Sequence, residues 1–290
     1  MSKIFCFLLC LISFSHPLFA SLSESPYYPE NLVRFRESLS KDHIQLEEEQ
    51  KLKEKLRATL TKIHLQVDGK RDSLHSNCPE DKPEESKCLE QRRNISYKQA
   101  REYLFGLLHL EKERNTYFVE DQYCQNLITE RDGVGPGKIP NSQKINCEHT
   151  WPQSRFNRRH SIELQKTDIH HLYPVDSRAN SSRGNIPFGE VKNQSTNLCE
   201  ASKRGPTDNG TIAFEPPDQH KGNIARAIFY FSLRYETPIS QEEESYLRRW
   251  HQLDPVDDSE RIRNERIYQI QGNRNPFIDD AELVELIRDF

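Results

Sequence analysis

The sequence predicts a mostly helical protein of the α+β class. In the first and last thirds of the chain, apolar residues recur three or four positions apart with charged residues between them, which indicates amphipathic helices. The short apolar run Tyr117-Phe118-Val119 is predicted to be a strand instead. The segment from Arg131 to Lys144 is broken by glycines and a proline, so we expect a loop there.

Composition limits the class of protein and its partners. The chain has 290 residues, of which 34% are hydrophobic and 30% are charged. This length suggests one or two domains, and the apolar fraction is enough for one moderate core. The formal net charge is −4, so no overall positive field attracts a polyanion. A nucleic acid would have to be held by a local basic patch.

Residues 1–20 have the pattern of a secretory signal peptide. Lys3 supplies a positive start, Ile4 to Phe14 is an apolar stretch, and Leu18-Phe19-Ala20 ends with a small residue. The apolar stretch is shorter than the roughly 20 residues that a membrane span needs. We therefore predict cleavage after Ala20, a secreted or periplasmic location, and no attachment to a membrane after the signal is removed.

Export makes disulfide bonds the expected state of the cysteines. Cys6 and Cys10 belong to the signal segment. The remaining cysteines are Cys78, Cys88, Cys124, Cys147 and Cys199. Cys78 and Cys88 lie close together in a polar loop and are predicted to pair. Two of the other three can pair and leave one thiol free, and the sequence leaves this connectivity open. We expect a structural role for Cys147.

A helical extension and linker, residues 21–93, is predicted to precede the main domain. Glu30 to Val67 has helical spacing and forms either one long helix or two helices that are broken near Ser40-Lys41-Asp42. Asp68 to Arg93 is polar and contains prolines, which predicts a linker or a disulfide-closed loop. The main domain is predicted over residues 94–290.

Within residues 94–290, local signals mark helix starts. Ser96 and Gln99 have the spacing of a capping box in front of a helix. Asn223 is a candidate cap for a second helix. A turn is expected at Gln271-Gly272-Asn273-Arg274-Asn275-Pro276-Phe277. Further helices are predicted over Glu242 to Trp250, Glu260 to Ile270 and Asp280 to Phe290.

Three polar side chains that follow one another in a short part of the chain suit hydrolysis. The imidazole of His149 can take a proton from water near neutral pH. The carboxylate of Glu148 and the amide oxygen of Asn180 can hold a hard divalent cation. Together they indicate metal-assisted cleavage of a phosphodiester. In a strand, however, Glu148 and His149 would point to opposite faces, so the backbone must bend there or the ion must lie beside the strand.

Further side chains nearby are candidates for binding phosphate or for supporting the site. An arginine can fork onto a phosphate, and a carboxylate with a histidine can orient metal ligands from behind. The basic run from Arg155 to His160 is either a phosphate-positioning surface or a solvated face, and the sequence leaves this open. The six candidates are Arg155, Arg159, Asp168, His170, Arg183 and Asn185.

Four motifs in this order resemble those of the bacterial endonuclease I family. The resemblance covers about Asn94 to Phe290 and includes no part of residues 21–93. It implies a secreted or periplasmic nuclease with a ββα-metal (His-Me finger) core. The motifs are Glu148-His149-Thr150-Trp151-Pro152, Asp168-Ile169-His170-His171-Leu172-Tyr173-Pro174, Asn180 through Gly189, and Gln271-Gly272-Asn273-Arg274-Asn275-Pro276-Phe277.

The resemblance also implies roles for the site residues. His149 corresponds to the general base, and Glu148 and Asn180 correspond to ligands of Mg²⁺, with Mn²⁺ or Ca²⁺ as alternatives. The two neighbours would lie at a strand–loop junction, with Asn180 on the following helix. The expected reaction is largely nonspecific cleavage of DNA, RNA or both to 5′-phosphate and 3′-hydroxyl ends. An arginine of the family that contacts the scissile phosphate cannot be matched to one residue here.

Two other functions compete with this one. The first is a zinc-dependent extracellular hydrolase, but no His-Glu-x-x-His motif is present and no set of three ligands stands out. Its candidate ligands would be Cys147, His149, His160, His170 and His171. The second is a non-catalytic envelope binding protein that works through the helices of residues 30–67. A monomer is expected in each case.

Overall fold

A computed structural model of the chain describes residues 21–90, 95–195 and 199–290. The predicted signal peptide, residues 1–20, lies outside the described residues. The described ranges combine many helices with small antiparallel sheets, which confirms the α+β class and the predominance of helices. None of the helices in these ranges is both long and apolar enough to cross a bilayer.

The N-terminal segment begins with two helices, α1 (Glu30–Glu37) and α2 (Leu46–Thr61), so the two-helix alternative is confirmed. A reciprocal pair of hydrogen bonds between Gln45 and Glu48 caps the start of α2. The predicted continuation of the helix to Val67 is wrong, because Ile63–Gln66 forms strand β1.

Strand β1 lies between β2 (Ser73–His75) and β3 (Lys87–Leu89) in an antiparallel sheet. These pairings join residues that are distant in sequence, and they outweigh the local helical spacing. The Cys78–Cys88 disulfide closes the loop between β2 and β3, as predicted. The segment after Asp68 therefore contains two strands and is not only a linker.

The N-terminal helices share a hydrophobic core with the C-terminal half of the chain. Tyr28 is fully buried, and its hydroxyl donates a hydrogen bond of 2.6 Å to Asp279. Arg36 forms an ion pair of 2.8 Å with Asp280. Leu52 and Leu56 of α2 belong to the same buried cluster. The predicted domain division between residues 93 and 94 stays a prediction.

The middle of the chain begins with α3 (Tyr97–Tyr103), which Ser96 and Gln99 cap with the predicted capping box. One π-helical turn, Leu104–Leu108, extends α3. A three-stranded antiparallel sheet follows, and its central strand confirms the strand predicted at Tyr117-Phe118-Val119. The strands of this sheet are β4 (Glu111–Glu113), β5 (Thr116–Glu120) and β6 (Leu127–Thr129).

Two strands and a helix then form the unit that carries the candidate site. Strand β7 (Ile145–His149) pairs antiparallel with β8 (Leu172–Asp176), and the short helix α4 (Ile162–Lys166) lies in the connection. Helix α5 (Ser177–Arg183) starts directly after β8, and Asp176 caps it. The order strand, strand, helix agrees with the expected topology, and a metal-containing core stays a prediction.

The C-terminal part is a hairpin followed by helices. The helices predicted over Glu242 to Trp250 and Glu260 to Ile270 are confirmed as α7 (Gln241–Leu253) and α8 (Asp258–Gln271). Helix α6 (Asp218–Tyr235) begins before Asn223, which lies inside it. The predicted cap is therefore wrong, because Pro217 already fixes the helix start. The final helix is only one turn long. The elements are β9 (Lys203–Pro206), β10 (Ile212–Glu215), α6 (Asp218–Tyr235), α7 (Gln241–Leu253), α8 (Asp258–Gln271), α9 (Pro276–Asp279) and α10 (Leu283–Leu286).

Candidate active site

Glu148 and His149 are the last two residues of β7, and both are buried. Their side chains meet different partners, as neighbours in a strand must. The Glu148 carboxylate accepts a hydrogen bond of 2.8 Å from the hydroxyl of Tyr123 and pairs with Arg183 at 3.1 Å. The His149 ring faces the end of α4 instead, where its Nε2 lies 3.1 Å from the carbonyl oxygen of Lys166.

The Lys166 carbonyl decides which nitrogen of His149 carries the proton. A carbonyl oxygen can only accept a hydrogen bond, so Nε2 must donate and Nδ1 keeps its lone pair. The amide nitrogen of the exposed Gln153 lies 3.4 Å from Nδ1. Burial, assisted by the neighbouring His171, lowers the pKa of His149 to about 3. The ring is therefore neutral at physiological pH with its lone pair at Nδ1, although burial makes it a weaker base than a solvated imidazole.

Aromatic rings hold the imidazole of His149 in place. Tyr97, the first residue of α3, stacks on it with ring centroids 5.7 Å apart and an angle of 29° between the planes. His171 and Phe156 contact it edge-on at 5.3 and 6.2 Å. The sequence predicts a helix at this point but no site role for Tyr97. The capping box at Ser96 fixes where that helix begins, but nothing in the sequence indicates that it begins beside β7.

Arg183 supports Glu148 from inside the protein. Only 1% of its surface is exposed. Its guanidinium binds the Glu148 carboxylate and donates to the backbone carbonyls of His149 (3.2 Å) and Thr150 (2.7 Å). Burial raises the pKa of Glu148, while Arg183 and Tyr123 act in the opposite direction. The Arg183 guanidinium therefore binds groups of the protein itself and is not available to bind a phosphate in solvent.

Asn180 lies one helical turn before Arg183 on α5. Residues three positions apart share a helix face, so Asn180 is on the side of α5 that contacts β7. Its side chain is partly exposed. A carboxylate and an amide oxygen are donors that suit Mg²⁺, which usually keeps several waters and few protein ligands. By the chemistry of these donors, Glu148 and Asn180 fit such an ion.

The hydrogen bonds of the Asp168 carboxylate and the His170 ring go to residues other than Glu148, His149 and Asn180. The Asp168 carboxylate accepts hydrogen bonds from Tyr230, Arg234, Tyr235 and Gln271. Burial raises its pKa, but Arg234, His170, His171 and the hydrogen bond from Gln271 together outweigh burial and hold the pKa below its usual range. His170 bonds through Nε2 to the carbonyl of Asn273 at 3.0 Å. Asp168 and His170 are predicted to support the metal ligands. In the structure, their side chains instead connect the segment in front of β8 to α6 and to the end of α8 and the turn that follows it.

The basic run after β7 is divided between the protein and solvent. Arg155 lies over the ring of Trp151 at 4.7 Å and pairs with the buried Glu243 at 3.3 Å. Arg159 is exposed. Asn185 is also exposed, and its amide is 3.5 Å from the hydroxyl of Ser154. The structure therefore brings Glu148, His149, Arg183 and α5 together and leaves Arg159 and Asn185 at the surface.

The three remaining cysteines form one disulfide and leave one free thiol. Cys124 pairs with Cys199, and Cys147 is the buried free thiol. Burial raises the pKa of Cys147 to about 12.

Two cavities of about 600 and 530 Å³ lie along the N-terminal segment beside Arg71 and Asp72. No candidate site residue lines either of them, so we give them no part in the chemistry at β7.

The end of β7 thus supplies a neutral imidazole and a buried carboxylate, which are groups that hydrolytic sites use. The chain belongs to the Endonuclease I family, because the sequence model of that family matches residues 82–282. The predicted family is thereby confirmed.

Individual relatives match about half of the chain. The extracellular ribonuclease of Bacillus subtilis (strain 168) is 39% identical over 160 residues, which cover 49% of this chain and 53% of the relative. The endonuclease-1 of Buchnera aphidicola subsp. Baizongia pistaciae (strain Bp) is 29% identical over 152 residues, 47% of this chain and 62% of the relative.

A third relative, the periplasmic deoxyribonuclease of Aeromonas hydrophila, is 30% identical over 164 residues, which are 49% of this chain and 68% of that protein. The chain spans about half the length of the Bacillus relative and somewhat more of the other two. The Bacillus relative is named as extracellular and the Aeromonas relative as periplasmic, which supports the predicted secreted or periplasmic location.

Proposed function

We propose that this protein is a metal-dependent, largely nonspecific endonuclease that hydrolyses phosphodiester bonds of DNA, RNA or both. The observation that carries the proposal is His149, whose Nε2 is bound to a backbone carbonyl while Nδ1 keeps its lone pair and faces the exposed Gln153. Relatives named as ribonuclease and as deoxyribonuclease support both kinds of substrate. Contacts to phosphates alone would give little sequence preference.

In the proposed reaction, His149 is the general base. A water molecule can displace the exposed Gln153 amide at Nδ1, and His149 removes a proton as the water oxygen attacks phosphorus in line. A new phosphorus–oxygen bond forms, and the bond to the 3′ oxygen breaks. The products carry a 5′-phosphate and, once the departing oxygen is protonated, a 3′-hydroxyl. His149 then returns its proton to solvent.

Glu148 and Asn180 are the residues that would hold the cation, which we take to be Mg²⁺ with Mn²⁺ or Ca²⁺ as alternatives. When bound, such an ion supplies charge stabilisation for the phosphate oxygens and the leaving group. Arg183 and Tyr123 are positioning residues, because each binds the Glu148 carboxylate and holds it in one orientation.

The zinc alternative finds less support. Within the described ranges, no three His, Cys, Asp or Glu side chains form a group that could hold a metal. Cys147 stays a neutral thiol near neutral pH because burial raises its pKa. His170 and His171 bond through Nε2 to backbone carbonyls.

Nicking of supercoiled plasmid tests the proposal. The purified chain is incubated with plasmid and Mg²⁺, with and without a chelator, and the ends are tested for 5′-phosphate. We expect nicking that the chelator abolishes and that Mg²⁺ restores. Restoration by zinc alone would favour the zinc hydrolase, and binding without any cleavage would favour a non-catalytic protein.

A further inference from the structure

Two cations meet over the ring of Tyr97, next to the proposed base. The Nζ atom of Lys166 lies 4.8 Å from the Tyr97 ring centroid, and the guanidinium carbon of Arg101 lies 5.7 Å from it. The same ring stacks on His149, and its hydroxyl hydrogen-bonds with the thiol of Cys147. Helices α3 and α4 therefore bring both cations to the ring that stacks on His149.

Neither cation is neutralised by a buried carboxylate. The nearest carboxylate to Lys166 is that of Glu163, at 4.0 Å, and the Glu163 side chain is 72% exposed. Within the described part of the chain, Arg101 makes no ion pair, and its Nε is buried without a hydrogen-bond partner. By contrast, the fully buried Arg226 pairs with Glu260 at 2.6 Å. Partly desolvated cations without counter-charges are a favourable place for an anion.

We propose that Lys166 and Arg101 form a phosphate subsite, held against Tyr97, that binds a phosphate next to the one being cleaved. This proposal rests on the proposed nuclease function. A nucleic-acid strand carries one phosphate per nucleotide, so a strand with its scissile phosphate at His149 brings a neighbouring phosphate alongside. The chain has a net charge of −4, so attraction of the strand depends on such local clusters.

Lys166 links this subsite to the base. Its backbone carbonyl accepts the Nε2–H of His149, and its side chain reaches over the ring of Tyr97. One residue thus sets both the orientation of the imidazole and the position of the strand, which is how a positioning residue raises the rate. Replacement of the Lys166 side chain leaves its carbonyl in place, so the two roles can be separated.

The first experiment compares Lys166→Gln, Arg101→Gln and the double variant with the wild type, using a single-stranded oligonucleotide in the presence of a chelator. We expect each single substitution to weaken binding roughly threefold to tenfold near 0.1 M salt. The slope of log affinity against log salt should fall by about 0.7 for each cation lost. Lys166→Arg should keep most of the affinity.

Matched controls are available away from the site. Lys192 and Arg34 are exposed and paired with Asp208 and Glu30, so Lys192→Gln and Arg34→Gln should leave affinity and salt slope unchanged. Thermal unfolding of every variant shows that it is folded. Salt slopes of the Lys166 and Arg101 variants equal to that of the wild type would overturn the subsite.

A second experiment locates the contact on the substrate. Each linkage near the cleavage position is replaced in turn by an uncharged methylphosphonate. For the wild type, affinity should drop at one flanking linkage, and the double variant should not respond at that linkage. The same profile for both proteins would overturn the proposal. A wild type that neither binds nor cleaves would instead refute the proposed function, whereas normal cleavage with unaffected variants would refute the subsite alone.

Discussion

His149 depends on its surroundings for the proton chemistry proposed here. Its ring is neutral because it is buried, and Nδ1 keeps its lone pair because Nε2 donates to the Lys166 carbonyl. His149→Ala should lower the cleavage rate by roughly 10²-fold to 10⁴-fold while the affinity for nucleic acid is retained. Initial rates of plasmid nicking measure this effect.

His160 provides the matched control for that substitution. It lies in the same connection, is partly exposed, and pairs with Glu236 at 3.5 Å. His160→Ala should cleave at close to the wild-type rate. A His149→Ala protein that cleaves as fast as this control would remove His149 from the role of base.

Asn180 is the least conspicuous residue of the proposed cation site. If its amide oxygen is a ligand, Asn180→Ala should raise the Mg²⁺ concentration for half-maximal activity by several-fold, because one donor of a small set is lost. Titration of activity with Mg²⁺ gives this value. Ser181→Ala on the same helix removes an exposed hydroxyl and should leave the titration curve unchanged. Identical curves for both variants would exclude Asn180 as a ligand.

At the scale of elements, Arg183 attaches α5 to β7 through a buried ion pair with Glu148 and a hydrogen bond to the His149 carbonyl. Arg183→Met would leave the Glu148 carboxylate buried without its cation, which costs about 3 kcal/mol or more. The free energy of unfolding in urea should fall by that amount, and activity should fall with it because Glu148 loses its support.

The exposed pair of Arg34 with Glu30 serves as the comparison for Arg183. Such pairs contribute about 0–1 kcal/mol, so Arg34→Met should hardly change the unfolding midpoint. If Arg183→Met were as stable as Arg34→Met, Arg183 would not be the support that the geometry indicates.

At the scale of the whole molecule, buried neutral histidines should make the fold sensitive to acid. Burial lowers the pKa of His220 to about 3 and of His251 to about 4, and it holds the pKa of His109 well below its usual value. Below the unfolded value of about 6.5, the unfolded chain takes up protons that the folded chain does not. Stability should therefore fall as the pH decreases from about 6.5 toward 4.

Urea unfolding at pH 7.5, 5.5 and 4.5 measures this acid sensitivity, with a loss of about 1.4 kcal/mol expected at each buried histidine for each pH unit below about 6.5. His220→Gln should flatten the dependence, whereas His43→Gln, at an exposed position, should not. Equal stability of the wild type at pH 7.5 and 4.5 would contradict the lowered pKa values of these buried histidines.

The share of the structure that sequence could predict follows from the range of the interactions. The capping box at Ser96, helices α7 and α8, and the Cys78–Cys88 pair depend on residues that are near one another in the chain, and these predictions are confirmed. Strand β1 was missed because its partners β2 and β3 come later in the chain, and their pairing replaced a local helical pattern.

The site shows the same division. By itself, the sequence determined the family, through four short motifs, and it pointed to Glu148 and His149 as neighbours at one place in the chain. Only the tertiary structure decided that Arg183 is buried under Glu148, that the Lys166 carbonyl sets the tautomer of His149, and that Tyr97 stacks on it. Motif spacing records which groups are present, whereas burial and partners arise when distant segments pack together.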